Sequence, residues 1–477
     1  MNRNYLLAAA CGLALAGTTA GADMKDPLPD SLSLGGVTVY GTIDVGYAYQ
    51  NHGVPLNGTY PGGLEYQAFT TTRNFAGSVS TVAESGLEQS KIGLRIAEPI
   101  VEGWTLVGRL ETGFNPLSGQ LTDACASIAN NGPNKQGNQT ANADSSRCGQ
   151  ALNSMAWGGV SNAQFGQLTV GRHNSLQLDA LAVYDPQTLS YAFSFLGYSG
   201  FNGGAGSTQA ARWDNSARYA VQTGPVHVAL MYSNGGADTG IIGKAYAGEI
   251  GVTIQALSLD AVYENEKSAV NLRSSFDDGG VNPLTTPAGP GLPPPGLAAY
   301  ISDDTSWNLM GKYVFEFGDS KLKDKLTLYA AYSHIQKAHG DYNGGSAQGG
   351  YPLDVGININ DAAVYNMEWV GARYAFSSGL NLVAAYYHIT QNSWTIGLGP
   401  TAATGLGCAA AGLLCSGDFD EASFVVDYVF NKHYDLYAGL NWSEVQDGLA
   451  NGFVGTTVGT SGSESQTTFM VGGRVKF

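Results

Sequence analysis

The feature that most constrains this chain is a two-residue alternation of apolar and polar side chains that returns along most of its length. In residues 37–47, valine, isoleucine and tyrosine share one parity, whereas Thr38, Thr42 and Asp44 take the other. This alternation is typical of a half-buried β-strand. Sixteen segments show it: 37–49, 89–98, 104–114, 153–161, 165–172, 212–221, 225–233, 244–254, 257–265, 304–317, 325–336, 362–376, 380–392, 418–430, 434–444 and 466–477. The pattern predicts an all-β chain.

The connections between these segments alternate in length. The short ones are 99–103, 162–164, 223–225, 255–256, 318–324, 377–379 and 431–433. The long, polar ones are 50–88, 115–152, 173–211, 266–303, 337–361, 393–417 and 445–465. Short turns on one side and long loops on the other are typical of an outer-membrane barrel, and an even strand number brings both ends to one side. We therefore predict a 16-stranded antiparallel transmembrane β-barrel with short periplasmic turns and long external loops.

Composition agrees with one repetitive architecture. Only 13% of residues are charged, and the chain has 66 Gly and 26 Tyr. After residue 22 no run of about eighteen apolar residues occurs, so membrane-spanning helices are not expected. The net charge of −16 disfavours a nucleic-acid partner for the surface as a whole.

The N-terminus has the pattern of a secretory signal. Arg3 precedes a short apolar stretch at 6–16, and the small residues 20–22 form a cleavage site. Residues 1–22 are therefore predicted to be a signal peptide and 23–477 a single barrel domain. A lipoprotein modified at Cys11 is the alternative.

The other four cysteines form two pairs along the chain. Cys125 and Cys148 fall in one long loop, and Cys408 and Cys415 fall in another. No histidine lies nearby, and export permits oxidation, so two disulfides are predicted in preference to a metal site. Free thiols remain the alternative.

The connection at 173–211 is too long for an ordinary hairpin loop, and such loops are usually functional. It is rich in aromatic residues, notably Tyr191, Phe193, Phe195, Tyr198 and Phe201. Aromatic side chains favour packing over exposure to water. This segment, which we call the third loop, is predicted to fold into the lumen and set the pore width.

Basic residues concentrate on the polar face of the strands that surround this loop. A narrow, water-filled pore selects solutes by its width and by the charges on its walls. We predict a basic ladder at the constriction, formed by Lys91, Arg95, Arg109, Arg172, Arg212 and Arg218. The alternative is that these cations pair with carboxylates to support the barrel interior.

The acidic candidates complete the predicted constriction. Asp44 and Glu111 lie on the same strands as the ladder, and Asp179 and Asp185 lie in the third loop. The two loop aspartates are predicted to face the ladder. A structural role in a helix cap or turn is equally open, since Asp185 starts an Asp-Pro-Gln sequence.

Six segments resemble the general trimeric porins of Gram-negative bacteria, of the neisserial and burkholderial type. They are 37–44 (VTVYGTID), 90–95 (SKIGLR), 103–114 with its LETGF ending, 165–172 (FGQLTVGR), 214–219 (DNSARY) and 471–477 (VGGRVKF). The resemblance implies a sixteen-stranded barrel, a homotrimer, a third loop inside the lumen and a C-terminal Phe477 read by the barrel-assembly machinery. It also implies contact with outer-membrane lipid and lipopolysaccharide. The third loop lacks the Pro-Glu-Phe-Gly sequence of that family, so pore size and selectivity are less transferable than the fold.

The predicted function is passive diffusion of small hydrophilic solutes and ions through a water-filled channel. The seven histidines stand in no metal-binding or catalytic motif, so we predict no enzyme activity, no metal and no cofactor. A solute-specific porin with an aromatic binding site, and a surface adhesin or phage receptor, are the alternatives. The ladder favours anions, whereas the net charge favours cations at the mouth; salt screens the distant rim over about 10 Å, which gives the ladder more weight.

Overall fold

The structure is a computed structural model. It describes residues 32–51, 78–122, 147, 150–198, 211–236, 243–272, 297–318, 323–340, 347–348, 351–393, 395–398, 416–446 and 465–477. The predicted signal peptide and the four paired cysteines lie outside these ranges, so both stay predictions.

The described residues form twenty-one strands and two helices. The strands are β1 (Leu32–Leu34), β2 (Val37–Gln50), β3 (Val79–Glu84), β4 (Lys91–Val101), β5 (Trp104–Gly113), β6 (Met155–Asn162), β7 (Gly166–Asn174), β8 (Arg212–Thr223), β9 (Val226–Ser233), β10 (Ala245–Ile254), β11 (Leu257–Leu272), β12 (Leu297–Phe317), β13 (Asp324–His339), β14 (Ala347–Gln348), β15 (Tyr351–Asp361), β16 (Ala363–Ala375), β17 (Leu380–Gln391), β18 (Thr395–Leu398), β19 (Gly417–Asn431), β20 (Tyr434–Val445) and β21 (Ser465–Lys476). The helices are α1 (Leu176–Tyr184) and α2 (Phe195–Tyr198).

Sixteen strand positions close into one antiparallel barrel. They are occupied by β2, β3 together with β4, β5 to β13, β16, β17, β19, β20 and β21. The barrel closes where β21 returns to β2, with Thr42 opposite Lys476 and Gln50 opposite Thr468. The predicted fold class, including the strand number, is confirmed.

The second barrel strand is interrupted. The second half of β2 pairs with β3, and its first half pairs with β4. Residues 85–90, which we call the strand break, lie between them, and the Asp44 carboxylate accepts hydrogen bonds of 2.8 Å from the backbone N–H groups of Leu87 and Glu88. The sequence predicted a strand beginning at 89 and placed β3 inside a loop.

Apolar side chains on one parity form the outer surface of the barrel. Leu230, Ile250 and Leu309, on β9, β10 and β12, are 56%, 57% and 55% exposed. Their neighbours in sequence, such as Met231 and Met310, are buried inside. An outward apolar band with inward polar and packed residues is the arrangement that a bilayer requires of a barrel.

Aromatic side chains form a continuous row near one group of short turns. Their ring centroids are separated by 4.6 Å between Tyr313 and Phe315, by 6.4 Å between Phe317 and Tyr374, and by 4.5 Å between Tyr374 and Phe376. Aromatic residues favour the boundary between lipid and water, where the ring meets lipid and its edge meets water. This row marks one membrane boundary.

Several strands extend beyond the segments that alternation identifies. The strands β11 and β12 continue past their predicted ends, with Ala269 opposite Ser302 after a bulge. Small strands also occur where loops were predicted: β15 pairs with both β12 and β18. The outer parts of β11 and β12 carry no alternation for sequence analysis to detect. In contrast, β15 does alternate, with Leu353, Val355, Ile357 and Ile359 on one parity, but it falls in the segment 337–361 that was assigned to a loop.

The described residues of the third loop, 173–198, lie inside the barrel. Ser175 caps α1, its hydroxyl accepting a 3.1 Å hydrogen bond from the Leu178 N–H. Leu176, Leu181 and Tyr184 are buried against the inner wall, and α1 contacts β10 to β13. In the described part of the chain, no helix has both the length and the apolar character needed to cross a bilayer.

Candidate functional site: the pore constriction

The third loop is attached first to the wall formed by β11 and β12. The Gln177 N–H donates to Glu264 Oε1 at 2.7 Å. The Gln177 side chain donates to Asn308 Oδ1 at 3.1 Å and accepts from Ser306 Oγ at 2.6 Å. Gln177 and Glu264 are fully buried, so these bonds hold α1 flat against the wall.

The second attachment is Asp185, at the end of α1. Its carboxylate accepts from the Tyr387 hydroxyl at 2.5 Å, from the Ser194 hydroxyl at 2.7 Å, and from the backbone N–H groups of Leu189 and Gln187 at 2.7 and 3.1 Å. Burial raises the pKa of Asp185, and these hydrogen bonds lower it in part. The residue is 0% exposed, so it fastens the loop to β17 and does not face the pore as predicted.

The tip of the loop docks on the strand break and on β20. The Ser190 hydroxyl and the Ala192 N–H both donate to the Gly86 carbonyl, at 2.7 and 2.9 Å. Phe193 is fully buried and meets Tyr437 edge to face at 6.3 Å. The loop therefore follows the inner wall and leaves open space on the side of β4 to β8.

The substitution Gly439→Ala tests the docking of the loop tip on β20, because Gly439 lies against Phe193. A Cβ at Gly439 would lie 2.6 Å from Phe193 Cε1, so Gly439→Ala must displace the ring. Overpacking of this kind costs about 1–3 kcal/mol, and we expect a lower thermal unfolding midpoint of the folded barrel in detergent. Gly158→Ala is the matched control, since its nearest neighbour would be the Val107 carbonyl at 3.7 Å. Equal midpoints for the two variants would contradict the docking of Phe193.

The open space is a cavity of about 400 Å³, which we call the eyelet. On the side of the third loop it is lined by neutral residues: Leu178, Ala182, Thr188, Leu189, Tyr191 and Gly197. The other side carries five cations and two carboxylates: Lys91, Arg109, Arg147, Arg212 and Arg474, with Glu88 and Glu111. The eyelet therefore has a neutral face opposite a predominantly basic one.

The carboxylates of the basic face are already engaged. Glu88 lies 2.7 Å from Lys91 Nζ. Glu111 lies 2.7 Å from Arg109 Nη2 and also accepts a 2.7 Å hydrogen bond from the Tyr40 hydroxyl. Arg474 lies 3.6 Å from Glu88 and pairs with the buried Asp435 at 2.8 Å. These contacts orient the cations and leave the face with an excess of positive charge.

Four of the sequence-predicted residues line the eyelet: Lys91, Arg109, Arg212 and Glu111. Six do not. Arg95 stacks on the Tyr40 ring, with its guanidinium carbon 4.4 Å from the ring centroid. Arg172 pairs with Asp214 at 2.7 Å, and Arg218 pairs with the fourth predicted carboxylate, Asp179, at 2.5 Å. Asp44 and Asp185 are fully buried. The contacts of these six residues match the supporting roles that the sequence analysis gave as alternatives to a place at the constriction.

Sequence reasoning missed three charged lining residues, Arg147, Glu88 and Arg474. Arg147 stands in a polar loop without strand periodicity, and its Nη1 donates to Gln89 Oε1 at 2.6 Å. Glu88 lies in the strand break. Arg474 had a detectable signal, because it shares the polar parity of the last strand, but only barrel closure brings that strand beside β2.

Comparison with known proteins agrees with this architecture. A sequence profile of the Gram-negative porin family matches residues 5–448. Among solved structures, an anion-selective porin from Comamonas acidovorans is similar at TM-score 0.54 and 16% identity, covering 92% of this chain and 99% of that one. The outer-membrane protein OmpT of Vibrio cholerae is similar at TM-score 0.52 and 14% identity, covering 94% and 100%. No curated protein sequence matches the chain.

A closed sixteen-stranded barrel with a loop folded into its lumen is the architecture of an outer-membrane channel. The chain belongs to the Gram-negative porin family. It is an outer-membrane protein that forms a water-filled channel for passive diffusion of small hydrophilic solutes.

Proposed function

We propose that this porin is a general diffusion channel whose eyelet favours small anions. The observation that carries the proposal is the composition of the lining: five cations against two carboxylates, with no acidic residue among the described lining residues of the third loop. Including Asp435, which pairs with Arg474 from behind, the balance remains positive. The negative net charge of −16 is therefore not reflected in the lining of the eyelet.

The third loop contributes little charge because its aspartates are used elsewhere. Asp185 is buried in the anchor to β17. Asp179 pairs with Arg218 and also accepts from the Asn174 side chain at 2.8 Å. An eyelet with one basic face and one neutral face attracts anions, because two unit charges about 4 Å apart in water interact by about 1 kcal/mol.

A solute-specific binding site is less well supported. Two of the aromatic residues that suggested it, Phe193 and Phe195, are turned into the wall and are fully buried. Among the described lining residues, Tyr191 is the aromatic one.

Recording from purified protein in planar bilayers tests the proposal. Under a potassium chloride gradient we expect a reversal potential of the sign that marks anion preference, with conductance that rises with salt without saturation. A reversal potential on the cation side would overturn the anion preference. Current that saturates with one particular solute would instead support a solute-specific porin.

We also propose that the chain acts as a homotrimer of the neisserial and burkholderial type, which the six matching segments support. One similar structure is the trimer form of in-vitro folded OmpT, at TM-score 0.51. The proposal includes removal of residues 1–22 on export, recognition of Phe477 by the barrel-assembly machinery, and contact of the apolar belt with lipid and lipopolysaccharide. Analytical ultracentrifugation in detergent, with a monomer as the contradicting result, tests the assembly.

A further inference from the structure

Three potential metal ligands meet on the inner wall of the barrel, on strands that include two in contact with α1. His227, Glu249 and Asp260 lie on the adjacent strands β9, β10 and β11. Gly251 of β10 stands opposite both His227 and Asp260, and Glu249 lies two residues earlier on the same face. Their nitrogen and carboxylate oxygen atoms all lie within 4.8 Å of one another.

Gly251 creates the space for this cluster. A Cβ at that position would lie 1.4 Å from Asp260 Oδ1 and 2.2 Å from His227 Cε1. The imidazole and the carboxylate therefore fold toward each other over a residue without a side chain. Any other residue at 251 would separate them.

The Asp260 carboxylate lies close to the His227 imidazole, but no well-aligned hydrogen bond joins the two groups. Its Oδ1 lies 2.8 Å from His227 Nε2, while Glu249 Oε1 lies 3.6 Å from the same nitrogen. Asp260 is 8% exposed, yet the Oδ1 atom accepts no well-aligned hydrogen bond from the described residues. Glu249 and Asp260 also bring two like charges close together beside one imidazole, and a cation between the three groups offsets that repulsion.

We propose that His227, Glu249 and Asp260 bind a divalent transition metal of the Zn²⁺ class. Ligand atoms about 2.1 Å from one Zn²⁺ lie roughly 3.0–3.4 Å apart, close to the spacings found here. One imidazole with two carboxylates suits zinc and its neighbours in the first transition row better than Mg²⁺ or Ca²⁺, which take oxygen ligands. The remaining coordination positions would be taken by water from the lumen.

The surrounding charges are compatible with a bound cation. Arg218 approaches Glu249, but its guanidinium is paired with Asp179. Lys312 is the other nearby cation, and its Nζ lies over the Tyr184 ring at 5.3 Å. The Tyr184 hydroxyl, at the end of α1, hydrogen bonds to Asp260, so a metal here would adjoin the base of the third loop. A bound divalent cation would therefore add positive charge to the lumen wall beside the end of α1.

Calorimetric titration of the untagged, folded, chelator-treated protein with zinc chloride tests the site. We expect about one Zn²⁺ bound per chain, and about tenfold or greater loss of affinity in His227→Ala, because a ligand contributes at least as much as the outer-shell groups that orient it. His388→Ala is the matched control, since His388 also lies 2.8 Å from an aspartate, Asp420, but belongs to no such three-ligand cluster among the described residues.

Two further variants test the site if His227→Ala folds poorly, and two further measurements report on the bound metal. Asp260→Asn and Glu249→Gln should weaken zinc binding in the same way, and Co²⁺ should give a visible d–d spectrum that His227→Ala loses. Micromolar zinc should lower the single-channel conductance of the wild type more than that of His227→Ala. Zinc affinity that is unchanged in all three ligand variants, or lowered equally by His388→Ala, would overturn the site.

Discussion

Replacing Lys91 and Arg109 together with glutamine will move the reversal potential of the channel toward cation preference. The double variant changes the lining from five cations and two carboxylates to three and two. Each removed charge is worth about 1 kcal/mol to an ion about 4 Å away in water, or roughly fivefold in its partition. We therefore expect the chloride-to-potassium permeability ratio to fall several-fold, measured under a salt gradient in planar bilayers.

Arg95→Gln is the matched control for this experiment. It removes the same charge from the same strand as Lys91, but from a side chain that stacks on Tyr40 outside the eyelet lining. Its permeability ratio should stay close to that of the wild type. Because the control removes one charge and the double variant removes two, a control shift about half as large as that of the double variant would mean that the total charge of the lumen, and not the eyelet, sets selectivity.

Replacing Asp185 with alanine will loosen the third loop and widen the pore. Four hydrogen bonds converge on this carboxylate, and the change leaves their buried donors, including the Tyr387 hydroxyl, without an acceptor. A buried polar group left unsatisfied costs about 1–3 kcal/mol. We expect higher mean conductance, larger current fluctuations and a lower thermal unfolding midpoint.

Tyr387→Phe distinguishes the loss of hydrogen bonds to Asp185 from a general packing defect. It removes one of the four donors while keeping the ring in place, so conductance and noise should change in the same direction by a smaller amount. If folded Asp185→Ala protein conducts like the wild type, then Gln177 and the loop tip hold the third loop without the aspartate.

The barrel was predictable because the bilayer imposes the same rule on every strand. A lipid-facing side chain must be apolar and its sequence neighbour faces the lumen, so the period is readable without knowledge of the partners. The rule weakens where strands leave the lipid, which is why the outer parts of β11 and β12 were not predicted. The strand β15 does alternate and was missed because it lies in a segment assigned to a loop. The rule also fails at the strand break, where residues 85–90 depart from the sheet to meet Asp44.

The constriction was predictable only in part, because parity identifies the lumen side of a strand and nothing more. Lys91 and Arg95 share a face and a strand, yet one lines the eyelet and the other stacks on Tyr40. Arg147 reaches the eyelet from a loop that has no period. The position of Asp185 depends on where the third loop crosses β17, which no local pattern contains.

The proposed metal ligands also could not be predicted from local sequence patterns. His227, Glu249 and Asp260 are separated by 22 and 11 positions, so no linear motif joins them. Antiparallel pairing of three consecutive strands brings them together around Gly251. A search for local histidine motifs cannot find a site of this kind.

The seat of the loop tip has a consequence for biogenesis. Ser190 and Ala192 hold Gly86, beside β4, while Phe193 packs on Tyr437 of β20, which in turn donates to Asp44 of β2 at 2.7 Å. These contacts lie on both sides of the seam where the first and last strands meet. A barrel with that seam still open has no complete seat for the loop tip, whereas the attachments of Gln177 to β11 and β12 and of Asp185 to β17 do not cross the seam. Closing the seam therefore completes the fastening of the third loop, and the contacts of the loop tip on both sides also resist reopening of the seam.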